Sequence, residues 1–228
     1  MKKTLSILIP AYNEEKTILK ILDKVLKSRI SIGKEIIIIN DGSADNTKKI
    51  AEEWIIKNKR VIVRLYSKDN GGKGSAIKLG IKKSTGNIII IQDADLEYDP
   101  DEYQKLIDPI LKDDYKVVYG SRILNKNNKI HSGLLFYIGG RVVTLFTNIL
   151  FFSKLTDEPT CYKVFDSKLI KSINIEGDRY DWEPEVTAKI LKKGYKISEV
   201  PISYHPRSVE EGKKIRWIDS IDALWTLL

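Results

Sequence analysis

The sequence predicts a single α/β domain with a mostly parallel central sheet flanked by helices. Short runs of β-branched residues alternate along the chain with stretches in which apolar residues recur at helical spacing. The strand-like runs are apolar almost without interruption, which is typical of parallel strands that are covered on both faces. The length of 228 residues suits one such domain with a full core. This alternation of strands and helices favours a layered α/β architecture.

Five strands and three of the helices between them can be placed on the sequence. Short runs bounded by turn residues predict strands at residues 4–9, 35–39, 61–65, 88–91 and 116–119. Helices follow the first two strands, because apolar residues recur every three or four positions over 18–26 and 50–55. Another helix is predicted over about 100–112, where Asp99 and Glu102 have the spacing of a capping box around Pro100.

Composition and charge exclude several classes of protein. The single cysteine, Cys161, excludes a disulfide scaffold, and with only two histidines the chain cannot build a Cys/His metal cluster. The net charge of +8 comes largely from lysines spread through every segment, so a solvated surface explains most of it. An anionic membrane surface is the next interpretation, and no nucleic-acid partner is expected. The N-terminal apolar run stops at Pro10, too early for a signal peptide, which predicts a cytoplasmic protein.

An apolar segment over residues 134–152 has two interpretations. It has nearly the length of a membrane span, but Arg141 lies near its centre, at a cost of roughly 3 kcal/mol on insertion. We expect the pair Gly139-Gly140 to bend the chain and divide the segment into two short helices. These helices either belong to the core or lie in a membrane interface, with Phe151 and Phe152 among the acyl chains.

Polar clusters follow all five predicted strands. They occupy residues 10–15, 40–43, 70–74, 93–95 and 120–122. The carboxyl ends of parallel strands meet at one edge of a sheet, and ligands of open α/β sheets bind at that edge, so the clusters predict a site for a polar ligand. Within the third cluster, the run Gly71-Gly72-Lys73-Gly74 either holds a phosphate at a helix N-terminus or forms only a turn.

Asp93-Ala94-Asp95 is the most informative of these clusters. Two carboxylates two residues apart, directly after a buried strand, repel each other unless a cation or hydrogen-bond donors lie between them. Asp99 already caps the next helix, so neither aspartate is needed for that purpose. Carboxylate oxygens are the ligands preferred by Mg²⁺ and Mn²⁺, which leave positions open for substrate phosphates. The cluster therefore predicts a divalent-cation site.

Taken in order, these motifs resemble the family 2 glycosyltransferases of the GT-A fold, and more narrowly the dolichol-phosphate mannosyltransferase branch of polyprenyl-phosphate sugar transferases. The first motifs are Pro10-Ala11-Tyr12-Asn13-Glu14, Asp41-Gly42-Ser43, Gly72-Lys73-Gly74, Asp93-Ala94-Asp95 and Gly120-Ser121-Arg122. The later ones are Asp157, Thr160-Cys161-Tyr162-Lys163, Trp182-Glu183-Pro184-Glu185, Val200-Pro201-Ile202-Ser203-Tyr204, Arg207 and Gly212-Lys213-Lys214-Ile215. The resemblance covers nearly the whole chain. It implies one domain over residues 1–228, with a nucleotide-sugar half at about 1–120 and an acceptor and lid half at about 121–228.

The resemblance implies a Rossmann-like pocket for a nucleoside diphosphate sugar. The residues implied in donor binding are Pro10, Ala11, Tyr12, Glu14, Asp41, Lys73, Asp93, Ala94, Asp95, Arg207 and Lys213. Asp93 and Asp95 would hold Mg²⁺ or Mn²⁺ on the diphosphate, with Glu97 as a third ligand where relatives often have glutamine. Arg122 would meet the acceptor phosphate. Arg141 is the arginine of the apolar segment that would serve as a second acceptor ligand.

We therefore expect an inverting, metal-dependent enzyme that moves a hexose from a UDP- or GDP-linked donor to a polyprenyl phosphate at the cytoplasmic membrane face, with peripheral membrane association. The acceptor phosphate is already an anion near pH 7, so Asp95 and Arg122 suffice as catalytic residues. A sugar hydroxyl would require a carboxylate base, for which Asp157, Glu183 and Glu185 are candidates. Two other functions stay open: transfer to a hydroxyl of a cell-surface polysaccharide or glycolipid, and non-catalytic sensing of a nucleotide sugar.

Overall fold

In the computed structural model, which describes residues 3–59, 61–128, 133–207 and 219–227, seven strands form one sheet. The strands are β1 (Thr4–Ala11), β2 (Gly33–Asp41), β3 (Ile62–Lys68), β4 (Ile88–Ile91), β5 (Val117–Ser121), β6 (Lys163–Asp166) and β7 (Ile197–Pro201). Their order across the sheet is β3-β2-β1-β4-β6-β5-β7. Neighbouring strands are parallel except where β6 pairs antiparallel with β4 and β5.

Helices connect the strands and cover the sheet. They are α1 (Ile18–Lys27), α2 (Thr47–Lys57), α3 (Lys73–Lys83), α4 (Tyr103–Leu111), α5 (Leu134–Phe151), α6 (Ser167–Lys171), α7 (Trp182–Lys192) and α8 (Asp219–Thr226). A 3₁₀ turn at Pro100–Glu102 leads into α4, and the Asp99 carboxylate accepts from the Asp101 N–H at 3.3 Å, as the predicted cap requires. The Glu102 carboxylate serves elsewhere, because it accepts from the N–H and the hydroxyl of Ser203.

The core lies between the sheet and its helices. Strands β1, β2 and β4 carry isoleucines without exposed surface, among them Ile7, Ile37 and Ile90. Helix α3 packs directly on β1 and β2. A Cβ added at Gly80 would lie 2.9 Å from Cδ1 of Ile39, so glycine permits the close approach of this helix to the sheet.

The structure confirms all five predicted strands and adds β6 and β7. Strand β6 begins with a lysine and ends with an aspartate, and β7 mixes Ser198 and Glu199 with apolar residues. Neither strand has the apolar run by which the others are recognised. Strand β6 nevertheless lies inside the sheet, where Lys163 is fully buried.

The apolar segment forms one continuous helix, α5, so the predicted division at Gly139-Gly140 is wrong. Glycine is a poor helix former, but it keeps its backbone N–H and does not by itself end a helix. A Cβ at Gly140 would lie 3.3 Å from Cγ of Pro159, so the small residue lets α5 approach the turn before β6. None of the helices in the described part of the chain combines the length and the hydropathy that a membrane crossing requires.

Helix α5 is amphipathic. One face packs on α7 and α8, where Val143 joins Ala188 and Leu227 in a small second core. The exposed apolar side chains of the helix are Ile138, Val142, Leu145, Phe146, Ile149 and Leu150. Phe152, which follows the helix, is 94% exposed, and Phe151 is partly buried against the second core. The segment is therefore core on one face and exposed on the other. The core interpretation is confirmed for the packed face, and a place in a membrane interface stays a prediction for the exposed face.

Candidate active site

The carboxyl ends of β1, β2, β4 and β5 border a cleft of about 530 Å³. The predicted donor residues that fall within the described part of the chain all line it: Pro10, Ala11, Tyr12, Glu14, Asp41, Lys73, Asp93, Ala94, Asp95 and Arg207. Lys213 lies outside the described residues. Glu97 and Arg122 line the cleft as well, whereas Arg141, Asp157 and Glu185 do not. The edge selected by the polar clusters is therefore the edge that carries the cleft.

The loops that follow β1 and β2 are tied to each other. The Asn13 N–H donates to Ser43 Oγ at 3.1 Å, and the Asn13 side chain accepts from the Ala44 N–H at 2.8 Å. The Glu14 N–H donates to Thr47 Oγ1 at 2.7 Å. Asn13 has a φ of 50°, a left-handed conformation that asparagine adopts more readily than most residues. These bonds fix one wall of the cleft.

The Asp41 carboxylate holds the turn before α3. It accepts from the Gly71 N–H at 3.1 Å and from the Gly72 N–H at 2.8 Å. The N–H groups of Gly74 and Ser75 donate to backbone carbonyls of the loop at 177–179. A Cβ at Gly74 would lie 2.5 Å from a carbonyl oxygen of that loop, so glycine permits this contact. Because these N–H groups already have acceptors, the structure supports the turn interpretation of the glycine run, not the phosphate interpretation.

Carboxylates crowd the middle of the cleft. Lys73 Nζ lies 2.9 Å from Asp93 Oδ2 and 3.0 Å from Glu183 Oε1. Asp95 pairs with Arg207 at 3.2 Å. Burial and the neighbouring carboxylates raise the pKa of Asp95 to about 7. The cleft therefore has a local excess of negative charge, which a bound cation would relieve.

The carboxylates that follow β4 fit Mg²⁺ or Mn²⁺. Asp93 and Asp95 offer carboxylate oxygens beside the open cleft. Glu97, the predicted third ligand, also lines the cleft, and its carboxylate accepts from the Tyr204 hydroxyl at 3.1 Å and from the Arg207 N–H at 2.9 Å. Its part in holding an ion stays a prediction. In the described ranges, no three acidic, histidine or cysteine side chains are arranged to hold one ion. Substrate oxygens would complete the coordination of an ion on the two aspartates.

Arg122 and Asp157 form a buried ion pair at the end of β5. The Nε and Nη2 atoms of Arg122 lie 2.7 and 2.6 Å from the carboxylate oxygens, and the Arg122 N–H donates to the same carboxylate at 2.8 Å. Burial alone would raise the pKa of Asp157, but the guanidinium holds it below its usual range. Both carboxylate oxygens are engaged by Arg122, so Asp157 orients this side chain. This geometry favours an orienting role, and the catalytic role of Asp157 stays a prediction.

Of the two glutamates at the start of α7, Glu183 lines the cleft and Glu185 does not. Residues two apart on a helix point in different directions. Glu185 accepts from the N–H groups of Glu176 and Gly177 at 2.8 and 2.7 Å. Burial opposes its ionisation, but Lys189 and these N–H groups hold the pKa of Glu185 below its usual range. Glu185 therefore fixes the loop before α7 and lies outside the cleft lining, a geometry that does not favour the catalytic role, which stays a prediction.

Arg141 lies outside the cleft. Its Nη1 donates to the carbonyl oxygen of Thr156 at 2.9 Å, and its side chain is exposed. Thr156 precedes Asp157, and its hydroxyl lies 2.7 Å from that of Ser121. Arg141 is therefore near the end of β5 without lining the cleft, and its acceptor role stays a prediction.

The sequence motifs gave no role to several residues that line the cleft. Tyr98 and Tyr204 are among them, with ring centroids 5.5 Å apart. Arg179 and Tyr180, in the loop before α7, are also among them. Tyr98 follows the motif at 93–95, Tyr204 lies within the motif at 200–204, and Arg179 and Tyr180 precede the motif at 182–185. The motifs gave these residues no role because the cleft brings together segments that are distant in the chain.

Comparisons with known proteins identify a family profile and relatives that this chain resembles. The family profile described as "Glycosyl transferase family 2" matches residues 6–173. The UDP-N-acetylglucosamine–dolichyl-phosphate N-acetylglucosaminyltransferase of Methanococcus voltae is 29% identical over an alignment of 231 positions. The alignment covers 93% of this chain and 91% of that protein. The dolichyl-phosphate beta-glucosyltransferase ALG5A of Trichomonas vaginalis is 31% identical over 215 residues, which cover 88% of this chain and 65% of that protein.

A solved structure shares the fold. Glucosyl-3-phosphoglycerate synthase from Mycobacterium tuberculosis, in complex with Mn²⁺, UDP and glucosyl-3-phosphoglycerate, matches with a TM-score of 0.75. The match covers 99% of this chain and 79% of that chain at 19% identity. The predicted GT-A architecture is thereby confirmed.

Proposed function

The chain belongs to glycosyl transferase family 2 and is a glycosyltransferase, and we propose that it transfers a hexose from a nucleoside diphosphate sugar to a polyprenyl phosphate. The observation that carries this proposal is the position of Arg122 on the cleft wall. Arg122 donates to the carbonyl of Pro159, whose ring lies against Gly140 of α5. Phe136 and Val143 of the same helix also line the cleft. A phosphate bound at Arg122 would thus lie beside an apolar surface, which suits the head of a lipid.

On the donor side, charged residues are arranged around the two aspartates. Mg²⁺ or Mn²⁺ held by Asp93 and Asp95 would supply electrostatic stabilisation of the departing diphosphate. Lys73 pairs with Asp93, and Arg207 reaches both Asp95 and Glu14 at 3.2 Å. The C-terminal segment is thereby held at the donor site. The Methanococcus voltae relative is named for a UDP-linked donor, and the structural neighbour binds UDP with Mn²⁺, which supports this kind of donor without identifying its base or sugar.

On the acceptor side, no general base is required. A phosphate monoester is an anion near pH 7 and is itself the nucleophile. The Nε and Nη2 atoms of Arg122 bind Asp157 and Pro159, whereas Nη1 has no hydrogen-bond acceptor among the residues described and is available to the phosphate. In-line attack forms the new C1–O bond as the bond to the diphosphate breaks, so the anomeric centre inverts.

The exposed side chains of α5 and its neighbours support a peripheral membrane location. Ile149 is 60% exposed, Phe152 is 94% exposed, and Trp225 of α8 is 79% exposed. Soluble proteins rarely expose many large apolar side chains together, whereas interfacial helices insert such a face among lipid headgroups. The net charge of +8 would add attraction to anionic lipid, which salt screens. We propose that the reaction takes place at the cytoplasmic face of the membrane.

A transfer assay with defined acceptors tests the proposed function. The protein is incubated with Mg²⁺ or Mn²⁺, with radiolabelled UDP-glucose, UDP-N-acetylglucosamine or GDP-mannose, and with dolichyl or undecaprenyl phosphate in detergent. We expect label from one donor to enter the lipid fraction in an acid-labile linkage. Parallel reactions contain 3-phosphoglycerate or a soluble oligosaccharide as hydroxyl acceptors. Label that enters only these products would contradict the lipid acceptor and would make Glu183, the α7 carboxylate that lines the cleft, the candidate base.

A further inference from the structure

We propose that Tyr204 is a positioning residue for acceptor transfer, because its ring supports the guanidinium of Arg122. This inference rests on the proposed function, because it takes Arg122 as the ligand of the acceptor phosphate. It gives a role to a residue of the cleft that so far has none. It also supplies a physical connection between the acceptor and donor sides.

The first contact is a cation–π interaction. The guanidinium carbon of Arg122 lies 5.2 Å from the centroid of the Tyr204 ring, within the range of attraction between a cation and a ring face. Tyr204 is 7% exposed, and its ring packs on that of Tyr98 at 5.5 Å. Tyr98 packs in turn on Tyr162 at 4.8 Å. A stack of tyrosines that reaches the core therefore holds the ring in place.

The second contact runs through Asn128. Its side-chain oxygen accepts from the Tyr204 N–H at 3.0 Å. Its side-chain nitrogen donates to the carbonyl oxygens of Arg122 and Ile202 at 2.7 and 2.8 Å. One amide thus joins the backbone of Arg122 to the backbone of Tyr204. The two residues are therefore in contact through their side chains and connected through their backbones.

The third contact runs to the donor side through Glu97. The Tyr204 hydroxyl donates to Glu97 Oε2 at 3.1 Å, and Oε1 accepts from the Arg207 N–H at 2.9 Å. The Glu97 carbonyl oxygen accepts from the His205 N–H at 2.9 Å. Arg207 then reaches Asp95 at 3.2 Å. Glu97 therefore anchors the C-terminal segment at the loop after β4, and Tyr204 lies between this anchor and Arg122.

The expected consequence is a guanidinium of defined direction. Arg122 uses Nε and Nη2 for Asp157, and an acceptor phosphate requires the remaining N–H groups in a fixed orientation. Without the ring, the guanidinium of Arg122 can shift on the Asp157 carboxylate. The ion pairs of Asp93 with Lys73 and of Asp95 with Arg207 do not depend on the ring. Loss of the ring should therefore raise the KM for the acceptor far more than the KM for the donor.

Tyr204→Phe and Tyr204→Met separate the ring from the hydroxyl. Phenylalanine keeps the ring, and methionine fills similar space without one. With a water-soluble isoprenyl phosphate as acceptor, we expect Tyr204→Met to raise the acceptor KM about tenfold and to leave the donor KM within about twofold. The acceptor KM of Tyr204→Phe should stay within about threefold of wild type. Calorimetric titration with UDP or GDP should show unchanged nucleotide affinity in both variants. If Tyr204→Met does not fold, Tyr204→Leu serves as the variant without a ring.

A double-mutant cycle tests whether Tyr204 acts through Arg122. Arg122→Lys keeps the charge but removes the planar group, so Tyr204→Met should add less than about a threefold rise in acceptor KM in that background. An equal rise in both backgrounds, equal effects of the Phe and Met variants, or a loss of nucleotide affinity would overturn the inference. A wild-type protein that does not use isoprenyl phosphate would overturn the proposed function and the inference together, whereas the other outcomes leave the proposed function intact.

Discussion

The ion pair of Arg122 with Asp157 holds the acceptor side of the cleft, and Asp157→Asn is the substitution that probes it. The carboxylate accepts three hydrogen bonds from Arg122, and the side chains of Asp157 and Arg122 are 4% and 18% exposed. Asparagine keeps the shape but offers one oxygen and turns an NH₂ group toward a donor. The substitution therefore breaks at least one bond and leaves the guanidinium without its counter-charge.

The size of the effect follows from this burial. Removing one partner of a buried ion pair costs about 3–5 kcal/mol. Because Arg122 retains some access to solvent, we expect a loss of about 2–4 kcal/mol for Asp157→Asn. For a chain of this length, that corresponds to a fall of roughly 4–16 °C in melting temperature. The matched control is Asp113→Asn, because the Asp113 carboxylate is 75% exposed in its pair with Lys116. This substitution should change the melting temperature by less than about 2 °C.

The dependence on pH gives the second measurement. The pKa of Asp157 is lowered in the folded protein, so the carboxylate stabilises the fold above its unfolded pKa of about 4. That contribution is lost as the pH falls through the folded pKa, and the difference between wild type and Asp157→Asn should shrink in acid. Melting curves recorded across this range, together with the acceptor KM at neutral pH, test the prediction. A variant that melts like wild type and loses only kcat would identify Asp157 as a base and refute the reasoning.

Three further expectations concern the cation site, the membrane surface and the loop before α7. Asp95→Asn should abolish transfer with the fold intact, because it removes a negative charge from the carboxylate pair that would hold the cation. Transfer that persists in EDTA would contradict this. Phe152→Ser should weaken sedimentation with anionic vesicles at low salt. Ile56→Ser, which changes a 66% exposed residue on α2, should not weaken it. Equal binding by both variants would argue against a membrane surface at Phe152. Glu185→Gln should lower the melting temperature by a few degrees with kcat within about twofold of wild type, and a loss of about a hundredfold would return Glu185 to the chemistry.

Patterns that are local in the chain were sufficient for much of the fold. Strands β1, β2 and β4 are covered on both faces, so each requires a nearly unbroken apolar run that can be read directly. Asp93 and Asp95 follow such a run, which placed them at the ligand edge of the sheet. Strand β6 was not predicted, because no apolar run marks it. It begins with Lys163, whose buried amine donates to the carbonyl oxygen of Glu158 at 2.5 Å, a contact that the local pattern does not reveal.

The order of amino acids alone was enough to specify the main strands, the edge that carries the cleft and the polar motifs that line it, since each depends on residues that are neighbours in the chain. The roles of the carboxylates emerged from folding. Asp157 is bound by Arg122, 35 positions away, and Glu97 is bound by Tyr204 and Arg207, 107 and 110 positions away. The charge and direction of a carboxylate depend on the donors and the solvent around it in space. The spacing of residues along the chain does not reveal partners at such distances. In the folded chain, Asp93, Asp95 and Glu183 line the cleft. Asp157 and Glu185 lie outside the lining and bind Arg122 and the loop before α7.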